Sequence, residues 1–243
     1  KYYLRPLGKV DCNNARTLER DGKVLKIQNI YFSFIEVISK RKSVSRKIYN
    51  IPDFQKLLSK SKKYQEVYEK MNYKNNKLEK LLFNKRNHSI FGILNVTPDS
   101  FSDGGINSKV IDAIINAQQM IKDGAQFIDI GGESTRPGAK KIDPCIELKR
   151  VLPVIQLLKS KNINMSLDTR NSSTMEFGII SGVKLINDVS GLNHDKESIE
   201  IINKYNVPVV VMHMPGNPKT MMKNNIYKDV TTDVYDFLET RIK

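Results

Sequence analysis

The sequence predicts an α/β chain built on a (β/α)8 barrel, preceded by a basic segment of mixed and helical character. Three observations carry that expectation. From Phe91 onward a strand pattern, a polar loop and a helical pattern follow one another five times, which is the rhythm of a parallel sheet. The five strands end at or near Asn95, Asp129, Asp168, Asn187 and His213. A barrel brings every strand end to one mouth, whereas an open sheet gathers its site at one switch point. Finally, the net charge of +14 lies entirely in residues 1–90, which hold 22 Lys and Arg against 8 Asp and Glu, while residues 91–243 balance.

The elements follow in order. Residues 1–90 are rich in Lys and Asn; residues 24–37 alternate enough for a strand or hairpin, and residues 52–82 place Phe54, Leu57, Leu58, Tyr64, Val67 and Tyr68 at helical spacing. No catalytic motif is found there. A linker or the end of an upstream domain is expected, with the boundary at residues 88 and 89. Basic residues are not interleaved with aromatics as in a nucleic-acid module, so the charge argues for a solvated surface. Strands are then predicted at 91–96, 126–130, 164–167, 184–186 and 207–212. Helices are predicted at 110–122, 144–159, 172–181, 195–204 and from about 229 to the end. A complete barrel needs eight units and about 250 residues. The barrel domain of residues 89–243 is therefore expected to be incomplete at its C-terminal side, and Lys1 in place of Met suggests a chain that starts inside a longer protein.

Bulk composition narrows the classes. With 40% hydrophobic and 27% charged residues the chain suits a globular fold. No apolar run is long enough to cross a bilayer and no signal peptide opens the chain. Two cysteines, Cys12 and Cys145, argue against a disulfide scaffold and for a reducing cytoplasm. Cys145 is read as an ordinary packed thiol.

The polar strand ends suggest chemistry. Asp168 and Asn187 together offer a carboxylate acceptor and an amide with both donor and acceptor. That suits a flat heterocycle with a donor–acceptor–donor edge, such as a pterin or guanine. Helix capping is the competing role for each, at even weight for Asp168. Asn95 could offer its carbonyl oxygen to a hard cation such as Mg²⁺, or bond its own loop. Thr135 and Arg136, in a Gly-rich loop, could hold phosphate. His213 has no second His or Cys at metal spacing and is read as structural. No Walker loop, zinc spacing, Ser-His-Asp order or dinucleotide fingerprint is present.

Two long runs carry a family resemblance. Gly92-Ile-Leu-Asn-Val-Thr-Pro-Asp-Ser-Phe-Ser-Asp-Gly-Gly105 and Ile128-Asp-Ile-Gly-Gly-Glu-Ser-Thr-Arg-Pro-Gly-Ala139 resemble the signatures of dihydropteroate synthase. Ser166-Leu167-Asp168-Thr169, Ile186-Asn187-Asp188-Val189 and residues 212–221 resemble later segments of that family. The resemblance implies a transferase of folate synthesis that is a sulfonamide target. It would join p-aminobenzoate to (7,8-dihydropterin-6-yl)methyl diphosphate, releasing diphosphate. It also implies roles: Asp168 and Asn187 on the pterin, Asn95 on Mg²⁺, and Thr135 on the diphosphate substrate. Asp103 and Arg136 would lie on closing loops, with Asp103 stabilising developing positive charge. Phe101 and Pro137 would shape the p-aminobenzoate pocket. The family's later Lys-containing and Arg-x-His segments are not found after Val230, so the 243 residues alone are expected to be inactive. A homodimer and an upstream folate-pathway domain are both compatible with the resemblance. A pterin-dependent methyltransferase and a non-catalytic pterin binder are the competing functions.

Overall fold

A computed structural model describes residues 1–73, 75–83, 88–97, 106–134, 141–216, 220 and 226–242; the side chains of residues 12, 76, 77 and 106–109 are not described. The chain divides into two compact units, Lys1–Glu79 with Asp229–Thr232, and Lys80–Lys228 with Asp233–Lys243.

The first unit is more regular than its sequence suggests. It contains β1 (Tyr2–Val10), α1 (Cys12–Arg20), β2 (Leu25–Ile27), β3 (Ile30–Lys40), β4 (Val44–Asn50), α2 (Ile51–Lys60) and α3 (Lys62–Asn72). β3 is the centre of an antiparallel sheet and pairs with β1, β2 and β4. Ile27, Ile35 and Val37 of the sheet pack with Ile51 and Phe54 of α2 in one apolar cluster. The Asn50 side chain caps α2 by accepting from the Asp53 amide, and Pro52 sits in the first turn, where its missing N–H costs nothing. The β2–β3 hairpin, α2 and α3 match the sequence pattern; β1, α1 and β4 were not expected from it. β1 carries Pro6 and Gly8, which speak against a central strand, but it pairs on one side only, where both are tolerated. β4, Val-Ser-Arg-Lys-Ile-Tyr-Asn, also pairs on one side only, where charge protects an exposed edge. α4 (Asn76–Phe83) leads toward the second unit.

The second unit is a parallel α/β array, as expected. Its strands are β5 (Phe91–Asn95), β6 (Phe127–Gly131), β7 (Met165–Asp168), β8 (Leu185–Asp188) and β9 (Val209–Val211), side by side in chain order. α5 (Ile106–Lys122), α6 (Pro144–Ser160), α7 (Ser172–Ser181) and α8 (Ser198–Tyr205) connect them, and α9 (Val230–Arg241) follows. Register sorts the side chains into two faces. Leu94, Ile130, Leu167, Ile186 and Val209 occupy one row across the five strands. They join Ala113, Ala117, Val151, Ile155 and Met175 of the helices in the main core. Because strand side chains alternate, the next row lies on the opposite face: Asn95, Gly131, Asp168, Asn187 and Val210.

Helix placement has local causes. Asp143 caps α6 through the Cys145 amide at 2.8 Å, with Pro144 at the first helical position. Cys145 itself is exposed, not packed. It lies in the first turn of α6, whose buried residues are Glu147, Val151, Val154, Ile155 and Leu158. Gly132 lets α6 approach the end of β6. A Cβ there would meet Val151 Cγ1 at 2.8 Å, Glu147 Cγ at 3.0 Å and the Glu147 carbonyl at 3.1 Å. Gly132→Ala is accordingly expected to cost about 1–3 kcal/mol of stability through overpacking, read as a lower urea midpoint at unchanged slope.

Candidate functional site

The site grows out of the row Asn95–Gly131–Asp168–Asn187. All four positions fall at the carboxyl ends of parallel strands, where loops carry binding groups. Asn95 is exposed. Gly131 beside it leaves a gap: a Cβ would lie 3.2 Å from Asn95 Oδ1 and 3.7 Å from Asp168 Oδ2. A side chain at 131 would therefore stand between the two polar groups.

Asp168 is the unusual group. Among the described residues its Oδ1 is buried without a hydrogen-bond partner. Burial pushes its carboxyl up to about 7, and the charges of Asp129, Glu147, Asp188 and Glu133 push the same way. It does not cap the following helix. The position before α7 is Asn171, and the Ser172 amide is taken by Asp195 Oδ2 at 2.9 Å. The capping role considered for Asp168 is thus not the one it plays. An acid held against its preferred charge state in this way is a frequent sign of function.

Asn187 belongs to a three-strand polar ladder. Its Nδ2 donates to Asp129 Oδ2 at 2.9 Å, and Ser166 Oγ donates to Asp129 Oδ1 at 2.6 Å. Asp129 is only 8% exposed and sits between β6 neighbours of the apolar core. The sequence marks Asp129 as a polar residue near a strand end and assigns it no role. Its position two residues before Gly131, hence on the same face, was the available signal.

Behind the row lies a second polar layer that the sequence reading missed. Glu133, just after β6, accepts two bonds from Arg170, just after β7, at 2.8 and 2.9 Å, and one from the Ile142 amide at 3.2 Å. Burial pushes the Glu133 carboxyl up, but these hydrogen bonds and the guanidinium charge outweigh it and hold the carboxyl below its ordinary value. Glu147 is fully buried, and its Oε2 accepts from Thr169, Asn171 and Thr174 at 2.7–3.0 Å. Burial nonetheless raises its carboxyl above the ordinary value. No spacing in the sequence marks Glu133 and Arg170, 37 residues apart, as partners.

Of the residues predicted for the site, the structure brings Asn95, Asp168 and Asn187 into one row. Phe101, Asp103, Thr135, Arg136 and Pro137 lie outside the described residues. His213 Nε2 lies 3.0 Å from the Tyr227 hydroxyl and its ring meets Phe237 edge-on at 4.5 Å, while among the described residues its Nδ1 is buried without a partner.

The sequence from Phe91 to the end matches a family model over residues 91–243, described as "pterin binding enzyme". The chain belongs to the pterin-binding enzyme family. Among curated proteins it is similar to the dihydropteroate synthase of Streptococcus pyogenes, 41% identical over 156 residues, 64% of this chain and 56% of that protein. The dihydropteroate synthase of Bacillus subtilis is 39% identical over 155 residues, 63% of this chain and 53% of that protein. The chain thus spans about half the length of these pterin-binding relatives. Among solved structures, dihydropteroate synthase from Clostridium difficile with pteroic acid superposes with a TM-score of 0.61 at 43% identity, covering 66% of this chain and 59% of that one. The Yersinia pestis dihydropteroate synthase with a sulfonamide drug gives 0.58 at 42% identity, covering 63% and 56%.

Proposed function

We propose that this chain supplies the pterin-binding and metal-binding end of a dihydropteroate synthase. The observation that carries this reading is the unpartnered Asp168 oxygen beside Asn187. A pterin offers adjacent N–H donors to such a carboxylate, and charge-assisted bonds of that kind are the strong ones. The five strands in chain order would be consecutive strands of a (β/α)8 barrel, with the row Asn95–Gly131–Asp168–Asn187 facing its mouth. The substrates would be (7,8-dihydropterin-6-yl)methyl diphosphate and p-aminobenzoate. Residues 1–88 are read as a separate domain; the Schizosaccharomyces pombe relative, named "folic acid synthesis protein fol1", is matched over only 21% of its length at 43% identity. A dimer and a cytoplasmic location complete the expectation.

The residues fit a cation delivered with the diphosphate better than a protein cage. Asn95 offers one hard oxygen beside the open space at Gly131, and among the described residues no group of three His, Cys, Asp or Glu is placed to hold a metal. Mg²⁺, when bound, would supply charge neutralisation to the leaving diphosphate. Asp168 and Asn187 would orient the pterin so that its exocyclic carbon faces the arylamine. The amine nitrogen forms the new C–N bond as the C–O bond to diphosphate breaks, and the amine then loses a proton. An arylamine is a nucleophile as it stands, so His213 need take no part. In the loops, Thr135 and Arg136 would hold the diphosphate substrate, Asp103 would stabilise positive charge on the carbon, and Phe101 and Pro137 would border the p-aminobenzoate.

The deciding experiment is calorimetric titration with the pterin diphosphate. Saturable binding strengthened by Mg²⁺ is expected, with the Mg²⁺ effect lost in Asn95→Ala. Binding that is absent, or indifferent to Mg²⁺ and to Asn95, would remove this reading.

A further inference from the structure

Part of the basic excess of the first unit gathers at the β3–β4 turn. Tyr2, Ser39 and Ser45 form one row across β1, β3 and β4, and Lys47, two residues on from Ser45, shares their face. Arg41, in the turn, donates to the Tyr2 hydroxyl at 3.3 Å. α3 packs against the same end of the sheet. The Tyr64 ring meets Tyr2 edge-on at 4.9 Å, the two hydroxyls share a hydrogen bond, and the Lys63 charge reaches Tyr2. Arg41, Lys47 and Lys63 are all exposed. Among the described residues no carboxylate pairs with any of the three. Glu36 of β3 lies on the opposite face and is taken by Arg5 and Arg46 at 2.8 and 3.0 Å. The first turn of α3 holds no acid. With a phenol in place of an acid beside it, Arg41 holds the Tyr2 hydroxyl below its ordinary pKa.

The hydroxyls add donors to this charge. Ser39 Oγ and Ser45 Oγ lie 2.7 Å apart, so one proton joins them and the other is left over. The Tyr2–Tyr64 pair likewise spends one proton and keeps one. Three cations and two spare O–H donors thus share one end of the sheet, with no negative group to receive them. We infer that Arg41, Lys47 and Lys63, with the Tyr2 and Ser45 hydroxyls, form a binding site for a doubly charged phosphate group. A carboxylate would offset one cation of the three, whereas a phosphate ester brings close to two charges and three acceptor oxygens, and guanidinium forks onto it. Nucleic acid fits less well, because its bases need open aromatic faces. Here Tyr2 and Tyr64 stand edge to face, and the Lys47 ammonium covers Tyr49 at 5.0 Å from the ring centre.

The test follows backbone amide shifts of the full chain during titration with inorganic phosphate. Residues 39–47 and 61–64 should shift saturably. Arg41→Ala should weaken that binding about tenfold or more, and Tyr2→Phe about threefold. Lys26→Ala is the control: it removes an exposed cation from β2, which pairs with the far end of β3, and should change nothing. Equal losses in Arg41→Ala and Lys26→Ala would mean diffuse attraction to net charge and would overturn the inference. Shifts confined to other segments would do the same. Two further ligands distinguish the source of the phosphate. Binding to phosphatidylcholine vesicles containing phosphatidic acid, displaced by inorganic phosphate, assigns the site to a lipid headgroup. Binding of inorganic phosphate and diphosphate without vesicle binding assigns it to a soluble phosphate compound. Failure of all three to bind removes the site. A short single-stranded oligonucleotide that binds far more tightly than phosphate, with no loss in Arg41→Ala, also overturns it.

Discussion

Asp168→Asn is expected to weaken pterin binding sharply while making the chain more stable above neutral pH. The two effects have one cause. In the folded chain burial and the surrounding carboxylates hold the Asp168 carboxyl at about 7. In the unfolded chain it titrates near 3.8. Between those values the folded form keeps a proton that the unfolded form has released, so stability falls as pH rises through that window and levels off above it. At pH 8 the penalty is on the order of 4 kcal/mol. Asparagine cannot ionise and should recover much of it, visible as a higher melting temperature at pH 8 with little change at pH 4. A pterin presenting two N–H donors needs the carboxylate, so the same variant should lose about a hundredfold in affinity. In the unmodified protein, affinity should climb with pH up to about 7, as ligand binding displaces the proton. A variant that leaves both melting temperature and affinity unchanged would show that Asp168 is neither strained nor in contact with ligand.

The second large effect is structural. Arg170→Met should cost about 3–5 kcal/mol, because it strands Glu133, whose side chain is 3% exposed, without its guanidinium partner. Glu133→Gln in the Arg170→Met background should restore most of the loss, since the uncompensated charge is then gone. Chemical denaturation of the two single variants and the double variant yields the coupling. If the single Arg170 variant is as stable as the parent, the pair contributes nothing and the turns after β6 and β7 are held by other contacts.

How far the sequence could be read depended on the range of the interactions involved. In the second unit, alternating apolar residues and polar strand ends are local signals, and the observed strands and helices fall close to the predicted ones. α7 agrees at both ends, predicted at 172–181 and observed at Ser172–Ser181. The polar row was legible for the same reason: Asp168 and Asn187 each end an apolar run of their own. Partnership was not legible. Glu133 with Arg170, Asp129 with Ser166 and Asn187, and Glu147 with Thr169, Asn171 and Thr174 are all made by register and by helix docking. No spacing rule links residues so far apart. In the first unit the difficulty lay in edge strands. Pro6, Gly8 and the charges of β4 suppress the very pattern by which strands are recognised.

The chain-order arrangement of β5 to β9 bears on how the protein is made. From β6 onward each of these strands pairs with the one before it, so during synthesis each of them emerges to find its partner already through the ribosome. Growth can proceed from β5 outward, with only a single helix-and-loop closure needed at each addition. The antiparallel unit has no such luxury: β1 must wait, unpaired, until β3 has been translated. Although it is translated first, its opening strand cannot be the first to settle.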